Sequence, residues 1–290
     1  MPSTWLAPAK INLFLHINKK RKDNYHNLQT IFQLLDYYDK LTFTITNNGV
    51  IKRTSGNKSI KQDQDLIIKA AKALQQYTGT TLGANLSIVK NIPIGGGLGG
   101  GSSDAATTLV ALNQLWDTKL TQAQLMKLGL NLGADVSVFI FAQSAWAEGI
   151  GNILSPIKTP DHYFLVVFIN KHISTKEIFS HYALTISEPQ GRIANFSELV
   201  NTHNDCLQVA IALEAEISVA LKHLNTCYNR VGQARMSGTG SCVFNEFLTE
   251  KDALAAAKKV PKKWMSFVTR AINNSPIYNW AVAKRQGNGF

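Results

Sequence analysis

Along residues 9–17 the apolar positions Ile11, Leu13, Leu15 and Ile17 alternate with Lys10, Asn12, Phe14 and His16. Successive side chains of a strand point to opposite faces, so this segment reads as a strand with Lys10 and Asn12 opposite the aliphatic face. Leu86, Ile88 and Ile92, closed by Pro93, read as another strand. Ile67, Ala70, Ala71 and Leu74 recur at helical spacing, as do Ala105, Ala106, Leu109, Leu112 and Trp116 in a helix opened by Ser102-Ser103-Asp104. Thr121 with Gln124 is a capping-box pattern that turns Leu125, Leu128 and Leu132 inward. Residues 155–160, with Pro at both ends of a polar stretch, read as a linker. The pattern then restarts, with a strand over 163–170, one long amphipathic helix over 209–224 and a strand–turn–strand around Ser237-Gly238-Thr239-Gly240. An Ala-rich helix near 250–259 and a last strand near 264–271 complete an order compatible with a ferredoxin-like arrangement. The expectation is two α+β domains, 1–157 and 158–290, with a cleft between them.

Composition adds little to this except exclusions. A hydrophobic share of 45% and a charged share of 17% are those of an ordinary globular chain. Apolar runs such as 163–169 fall far short of the ~20 residues a membrane helix needs, so no membrane partner is expected. Met1-Pro2-Ser3-Thr4-Trp5 has neither a basic nor an apolar leader character. The three cysteines share no metal-ligand spacing, which points to a reducing, cytoplasmic setting. A net charge of +11 is read as solvated surface, as a field for an anionic small molecule, or as a nucleic-acid surface. No helix-turn-helix, zinc-finger or RNA-recognition pattern accompanies it, so no nucleic-acid partner is expected.

The chemistry concentrates in Gly95-Gly96-Gly97-Leu98-Gly99-Gly100-Gly101, between the strand ending at Pro93 and the helix after Ser102. Glycine loses the most backbone entropy on ordering, and bare N–H groups approaching an anion are the best reason to collect it there. Strand, glycine loop and helix N-terminus together make a phosphate cradle. A dinucleotide fold would need a second parallel strand after the helix, and here one helix leads into another. The Gly-Lys-Ser/Thr of a Walker loop and the His-Arg-Asp and Asp-Phe-Gly of protein kinases are absent from the sequence. A side chain at Gly97 is expected to abolish nucleotide binding while barely moving the thermal midpoint of the free protein.

The stretch from Pro93 to Ala106 resembles the ATP-binding loop of the GHMP kinases, the superfamily of galactokinase and of homoserine, mevalonate and phosphomevalonate kinases. Pro8-Ala9-Lys10-Ile11-Asn12-Leu13-Phe14-Leu15 and Met236-Ser237-Gly238-Thr239-Gly240-Ser241-Cys242-Val243-Phe244 resemble its other two motifs, in the same order. The resemblance runs from about Pro8 to Pro276. It implies an N-terminal α+β domain like the second domain of ribosomal protein S5, a C-terminal ferredoxin-like α+β domain, and an active site between them. It implies ATP as phosphoryl donor, with Mg²⁺ carried by the nucleotide and no protein ligand assigned to the metal. Pro93, Ile94, Gly95, Gly96, Gly97, Leu98, Gly99, Gly100, Gly101, Ser102 and Ser103 would hold the phosphates, with Lys90 and Asp65 near the adenine. Lys10 and the Asp135 of Gly133-Ala134-Asp135-Val136 match the catalytic pair. Alcohol phosphorylation needs such a pair, a carboxylate to take the hydroxyl proton and a cation beside it.

The tripled glycine after Leu98 and Asp23-Asn24-Tyr25-His26 resemble the branch acting on a small-molecule cytidine diphosphate derivative of methylerythritol. Asn12, Tyr25, His26 and Phe179 match its cytidine-holding positions, Tyr and Phe as ring sandwich and His on the polar edge. Without the resemblance Tyr25 and Phe179 read as core aromatics. Thr239 matches a position approaching the catalytic centre, although a hairpin turn explains Gly238 and Gly240 almost as well. Two positions depart from the pattern: Asn24 stands for a glycine, and Asp65 for an asparagine that an ionised Asp cannot replace as donor. The chain is expected to act as a monomer or weak homodimer. A homoserine or mevalonate type of GHMP kinase is the alternative, and a non-catalytic nucleic-acid-binding protein a remote one; the Tyr25–His26–Phe179 set and the intact Lys10 and Asp135 speak against them.

Overall fold

Strand β1 (Ser3–Lys20) is the alternating segment at full length, and it pairs antiparallel with β2 (His26–Thr46) from Ser3↔Phe43 to Lys20↔His26. The computed structural model describes every residue except 24, 58, 59, 182, 183, 185, 187–198, 200 and 283–290. Asn24 therefore lies outside the described residues. A register shift between Asn12 and Leu15 breaks the strict alternation of β1. Ile11, Leu13 and Phe14 enter one core, whereas Leu15 and Ile17 enter another. With Trp5 and Ala7 in a further cluster, one strand thus serves three.

The remaining elements follow as β3 (Ile51–Ser55), α1 (Leu66–Thr78), β4 (Gly83–Val89), α2 (Gly100–Leu115), α3 (Gln122–Leu130), α4 (Val136–Phe141), β5 (Ala145–Glu148) and β6 (Ile153–Pro156). The second half supplies β7 (Tyr163–Phe168), α5 (Thr175–Ser180), α6 (Leu207–Leu213), α7 (Glu216–Asn225), β8 (Arg230–Met236), β9 (Val243–Phe247), α8 (Glu250–Ala257), β10 (Met265–Ile272) and α9 (Tyr278–Val282). Strands run in the order β3-β4-β2-β10-β7-β9-β8, with β1 on β2 and β5–β6 attached to β2. Within it β10-β7-β9-β8 is the antiparallel order of a ferredoxin-like unit, joined to the first half where β10 meets β2 at Ala271↔Leu35. The fold is α+β in both halves.

Three sequence expectations are corrected. The helix over 209–224 is two helices, because Glu214 adopts extended angles and its carboxylate accepts from the Glu216 N–H that starts α7. The glycine helix starts at Gly100, not at Ser102, with Gly99 in the left-handed conformation as its cap. The expected linker begins inside β6, so only its later residues connect the halves.

The expected boundary at 157/158 falls between β6 and β7, yet packing crosses it at both ends. Ile277, just before α9, and Ala281 within it are buried in the first core, where α9 packs on α2 and α4, while Leu15 and Ile17 sit with Leu165, Val167 and Val243 of the second. A third cluster between them, built on Ile11, Ile31, Phe164 and Phe244, backs the glycine loop through Leu98. At about 25 cal/mol per Å² of apolar surface, each fully buried leucine or phenylalanine there contributes roughly 1.5–3 kcal/mol to holding that loop in place.

Candidate active site

A cavity of about 1190 Å³ opens between the glycine loop, β1 and the β8–β9 turn. Lys10 and Asp135 both line it. The Lys10 side chain is only 3% exposed; its Nζ lies 3.4 Å from Asp135 Oδ2 and donates to Asn12 Oδ1 at 2.7 Å and to the Gly97 carbonyl at 3.0 Å. Asp135 precedes α4 yet makes no capping bond, and its side chain is 36% exposed. Its carboxylate is therefore available to the cavity.

The loop is fixed from behind. Lys10 N donates to Leu98 O at 3.0 Å, and Cys242 N to Gly96 O at 3.0 Å. Ser237 Oγ donates to Gly97 O at 2.9 Å and accepts from Asn12 N at 3.2 Å. Gly97 has φ +75°, and a Cβ there would stand 2.2 Å from the Ser237 carbonyl oxygen. The expectation that a side chain at Gly97 leaves the free protein untouched is thus corrected, since it collides with the β8–β9 turn even without nucleotide. In front, the first N–H groups of α2 have no intrahelical acceptor. Gly100, Gly101 and Ser102 carry them on the cavity wall, beside Pro93, Ile94, Gly95, Gly96, Gly97, Leu98 and Gly99. The helix dipole adds its positive end there. Ser103 departs from the expected set: it is fully buried, off the cavity wall, with its Oγ unpartnered.

At one end of the cavity lie Arg53, Asp65, Leu66, Ile88 and Lys90. Both Asp65 oxygens are engaged, Oδ1 accepting from Ile67 N at 3.1 Å as the α1 cap and Oδ2 from Arg53. Lys90 is tied to Asp39 and, at 2.6 Å, to Asp104, so neither expected base contact presents a free charge. Burial, with Asp39 close by and Lys90 only partly offsetting it, pushes the Asp104 carboxyl up to about 8. Arg53 escaped sequence reading because nothing in its neighbourhood marks it.

The other end holds Tyr25, His26, Leu28, Ile150, Thr175 and Phe179. His26 and Phe179 stack on each other with centroids 5.3 Å apart, while Tyr25 is 55% exposed. Desolvation, reinforced by the Lys20 charge, lowers the His26 pKa, so at neutral pH its imidazole offers one donor and one acceptor. Asn12 is placed elsewhere than expected. It lies beside Lys10, donates through Nδ2 to Thr30 Oγ1 at 2.9 Å, and orients the lysine. Thr239 lines the cavity near Lys10's neighbour Gly238, its hydroxyl 3.1 Å from that of Thr175.

No group of three or more metal-ligating side chains gathers among the described residues. The Asp135 carboxylate and Ser102 hydroxyl are the oxygen donors that open beside the loop, a set that suits a hydrated Mg²⁺ carried on phosphates. Among the described residues no helix is long and apolar enough to cross a membrane.

Residues 65–143 match the model of the GHMP kinases N terminal domain and residues 183–265 that of the GHMP kinases C terminal domain. A 4-diphosphocytidyl-2-C-methyl-D-erythritol kinase of Vesicomyosocius okutanii subsp. Calyptogena okutanii (strain HA) is 97% identical over 285 residues, covering 98% of this chain and 100% of the relative. One of Ruthia magnifica subsp. Calyptogena magnifica is 85% identical over the same shares. A crystal structure of 4-(cytidine 5'-diphospho)-2C-methyl-D-erythritol kinase superposes with TM-score 0.80 at 28% identity, over 93% of this chain and 99% of its own. A mevalonate kinase structure, at 17% identity and TM-score 0.71 over 94% and 100%, shares the fold.

Proposed function

Because the chain belongs to the GHMP kinase family, and within it to the 4-diphosphocytidyl-2-C-methyl-D-erythritol kinases, we propose that it moves the γ-phosphoryl of ATP to the 2-hydroxyl of 4-diphosphocytidyl-2-C-methyl-D-erythritol. This places it in the non-mevalonate, methylerythritol phosphate route to isoprenoid precursors. The observation that carries the chemistry is the uncapped Asp135 carboxylate 3.4 Å from Lys10, in the same cavity as the glycine loop and the aromatic residues. Asp135 takes the hydroxyl proton as phosphoryl transfer begins. Lys10, anchored by Asn12 and Gly97 O, holds the carboxylate in position and balances charge on the transferring group. The loop and the α2 N-terminus hold the nucleotide phosphates, and the base lies toward Leu66 and Ile88. The cytidine lies against His26, Phe179 and Tyr25.

Asp135 and Ser102 would stand nearest a Mg²⁺ carried on the nucleotide, which when bound would neutralise phosphoryl charge. In Asp135→Asn, kcat should fall roughly 10²–10⁴-fold with KM for ATP nearly unchanged. A drop below tenfold in a folded variant rules Asp135 out as the base. Equal turnover of the cytidylated alcohol and of the alcohol phosphate lacking CMP would return the enzyme to a generic GHMP kinase.

A further inference from the structure

The cavity wall carries five Lys and Arg side chains among its described residues: Lys10, Lys20, Arg53, Lys90 and Lys176. Three of them are neutralised, by Asp135, by Asp65, and by Asp39 with Asp104. Neither Lys20 nor Lys176 stands in an ion pair among the described residues. Among the described residues these two are the cavity-lining Lys and Arg side chains without an ion-pair partner. We propose that Lys20 and Lys176 form a cationic clamp for the diphosphate of the cytidylated substrate.

Their placement carries the proposal. Lys20 ends β1 directly across from His26 in the strand register. Its charge is felt by the His26 ring, whose proton affinity it helps to lower. Lys176 lies on α5 one turn before Phe179, the ring that stacks on His26. The two ammonium groups therefore reach the aromatic end from chain segments distant in sequence. A pyrimidine nucleoside diphosphate ester seated there carries two ionised phosphoryl groups between its base and its alcohol. Those groups must pass from the His26–Phe179 stack toward Lys10 and Asp135, where the reacting hydroxyl has to lie. The lysine and arginine side chains deeper in the cavity already have carboxylate partners, so Lys20 and Lys176 are the ones left at the rim, among the described residues, to meet the charge of the ester. Lysine suits this, because its long stem keeps the head in water while spanning a range of positions.

Exposed rim charges act chiefly on association and are screened by salt. The inference rests on the proposed substrate, so its test separates the two. Titration calorimetry with cytidine, CMP and CDP is run on the full chain as wild type, Lys20→Met, Lys176→Met and the double variant, at low and at high salt. CDP should bind the wild type more tightly than cytidine, with an advantage that shrinks as salt rises. The double variant should lose roughly 3- to 30-fold in CDP affinity at low salt, with cytidine affinity unchanged and the salt dependence flattened. KM for ATP should stay at the wild-type value. Unchanged CDP affinity and salt dependence in the double variant would overturn the clamp. So would an equal loss for cytidine, which would mean a packing role, or a rise in KM for ATP, which would assign the lysines to the donor nucleotide. Failure of wild type to prefer the cytidylated alcohol would sink the substrate assignment instead, whatever the lysine variants do.

Discussion

Asp65 and Asp135 each stand immediately before a helix, and they use the position in opposite ways. Asp65 accepts from the Ile67 N–H and pairs with Arg53, so its charge is consumed locally. Asp135 leaves its helix uncapped and turns its carboxylate to Lys10. The sequence shows two aspartates at helix starts, and only the third dimension separates a cap from a candidate base. Lys10 and Asn12 were legible as cavity residues because alternation put them off the aliphatic face. Asn12's bond to Thr30 was not, because Thr30 lies on the partner strand β2 and its register cannot be read from residues 9–17 alone. At the aromatic end, base stacking on one ring is worth about 1–3 kcal/mol. Phe179→Ala and Tyr25→Ala should therefore each lower kcat/KM for the cytidylated alcohol roughly 5- to 150-fold, with KM for ATP barely changed. Steady-state kinetics with each substrate varied in turn checks this, and wild-type values in both variants would remove the base pocket.

Three elements meet at a buried ion triad under the glycine loop. Asp39 of β2 accepts from Asn91 N at 2.6 Å and Ile92 N at 2.9 Å, and Lys90, just past β4, bridges it to Asp104 of α2. Removing the cation leaves Asp39 buried and unpaired, so Lys90→Met should cost roughly 3–5 kcal/mol in denaturant unfolding. Asp104→Asn, which mimics the protonated acid, should cost far less. The Asp104 carboxyl is raised above its unfolded value, to about 8, chiefly by burial. Its folded form holds a proton that the unfolded chain has already released. That contribution is fully present below the unfolded pKa, and it is lost as pH rises through about 8. Unfolding free energy of the wild type should decline across that window, and Asp104→Asn should flatten the decline; an equal slope in both would show another group responsible. Such a triad cannot be read from sequence, since its members lie on three separate elements. The break between α6 and α7 was hidden for another reason. The buried positions Ala210, Ile217, Leu221 and Leu224 keep helical spacing straight across it.

At the scale of the molecule, the order of elements was legible and its closure was not. The alternating and helical patterns gave two α+β halves, and the ferredoxin-like order of β10-β7-β9-β8 agrees with that reading. Nothing in Ile277 and Ala281 announces a return to the first core, because one i, i+4 apolar pair is too short a stretch to carry a periodic signal. A chain stopped after Asn274 loses Ile277, which is almost fully buried, together with the Trp280 ring 5.4 Å from Trp5. It should lose at least about 2–5 kcal/mol of stability, read as a lower thermal midpoint of a single transition. An unshifted midpoint would mean that α9 is an ornament on a core complete without it. The same return sets a timetable for biosynthesis. Domains commonly fold as they leave the ribosome, N-terminal part first. Here the nucleotide-binding half cannot seal its interior until the segment from Ile277 to Ala281 has left the ribosome. A nascent chain that still lacks that segment therefore carries an open first core.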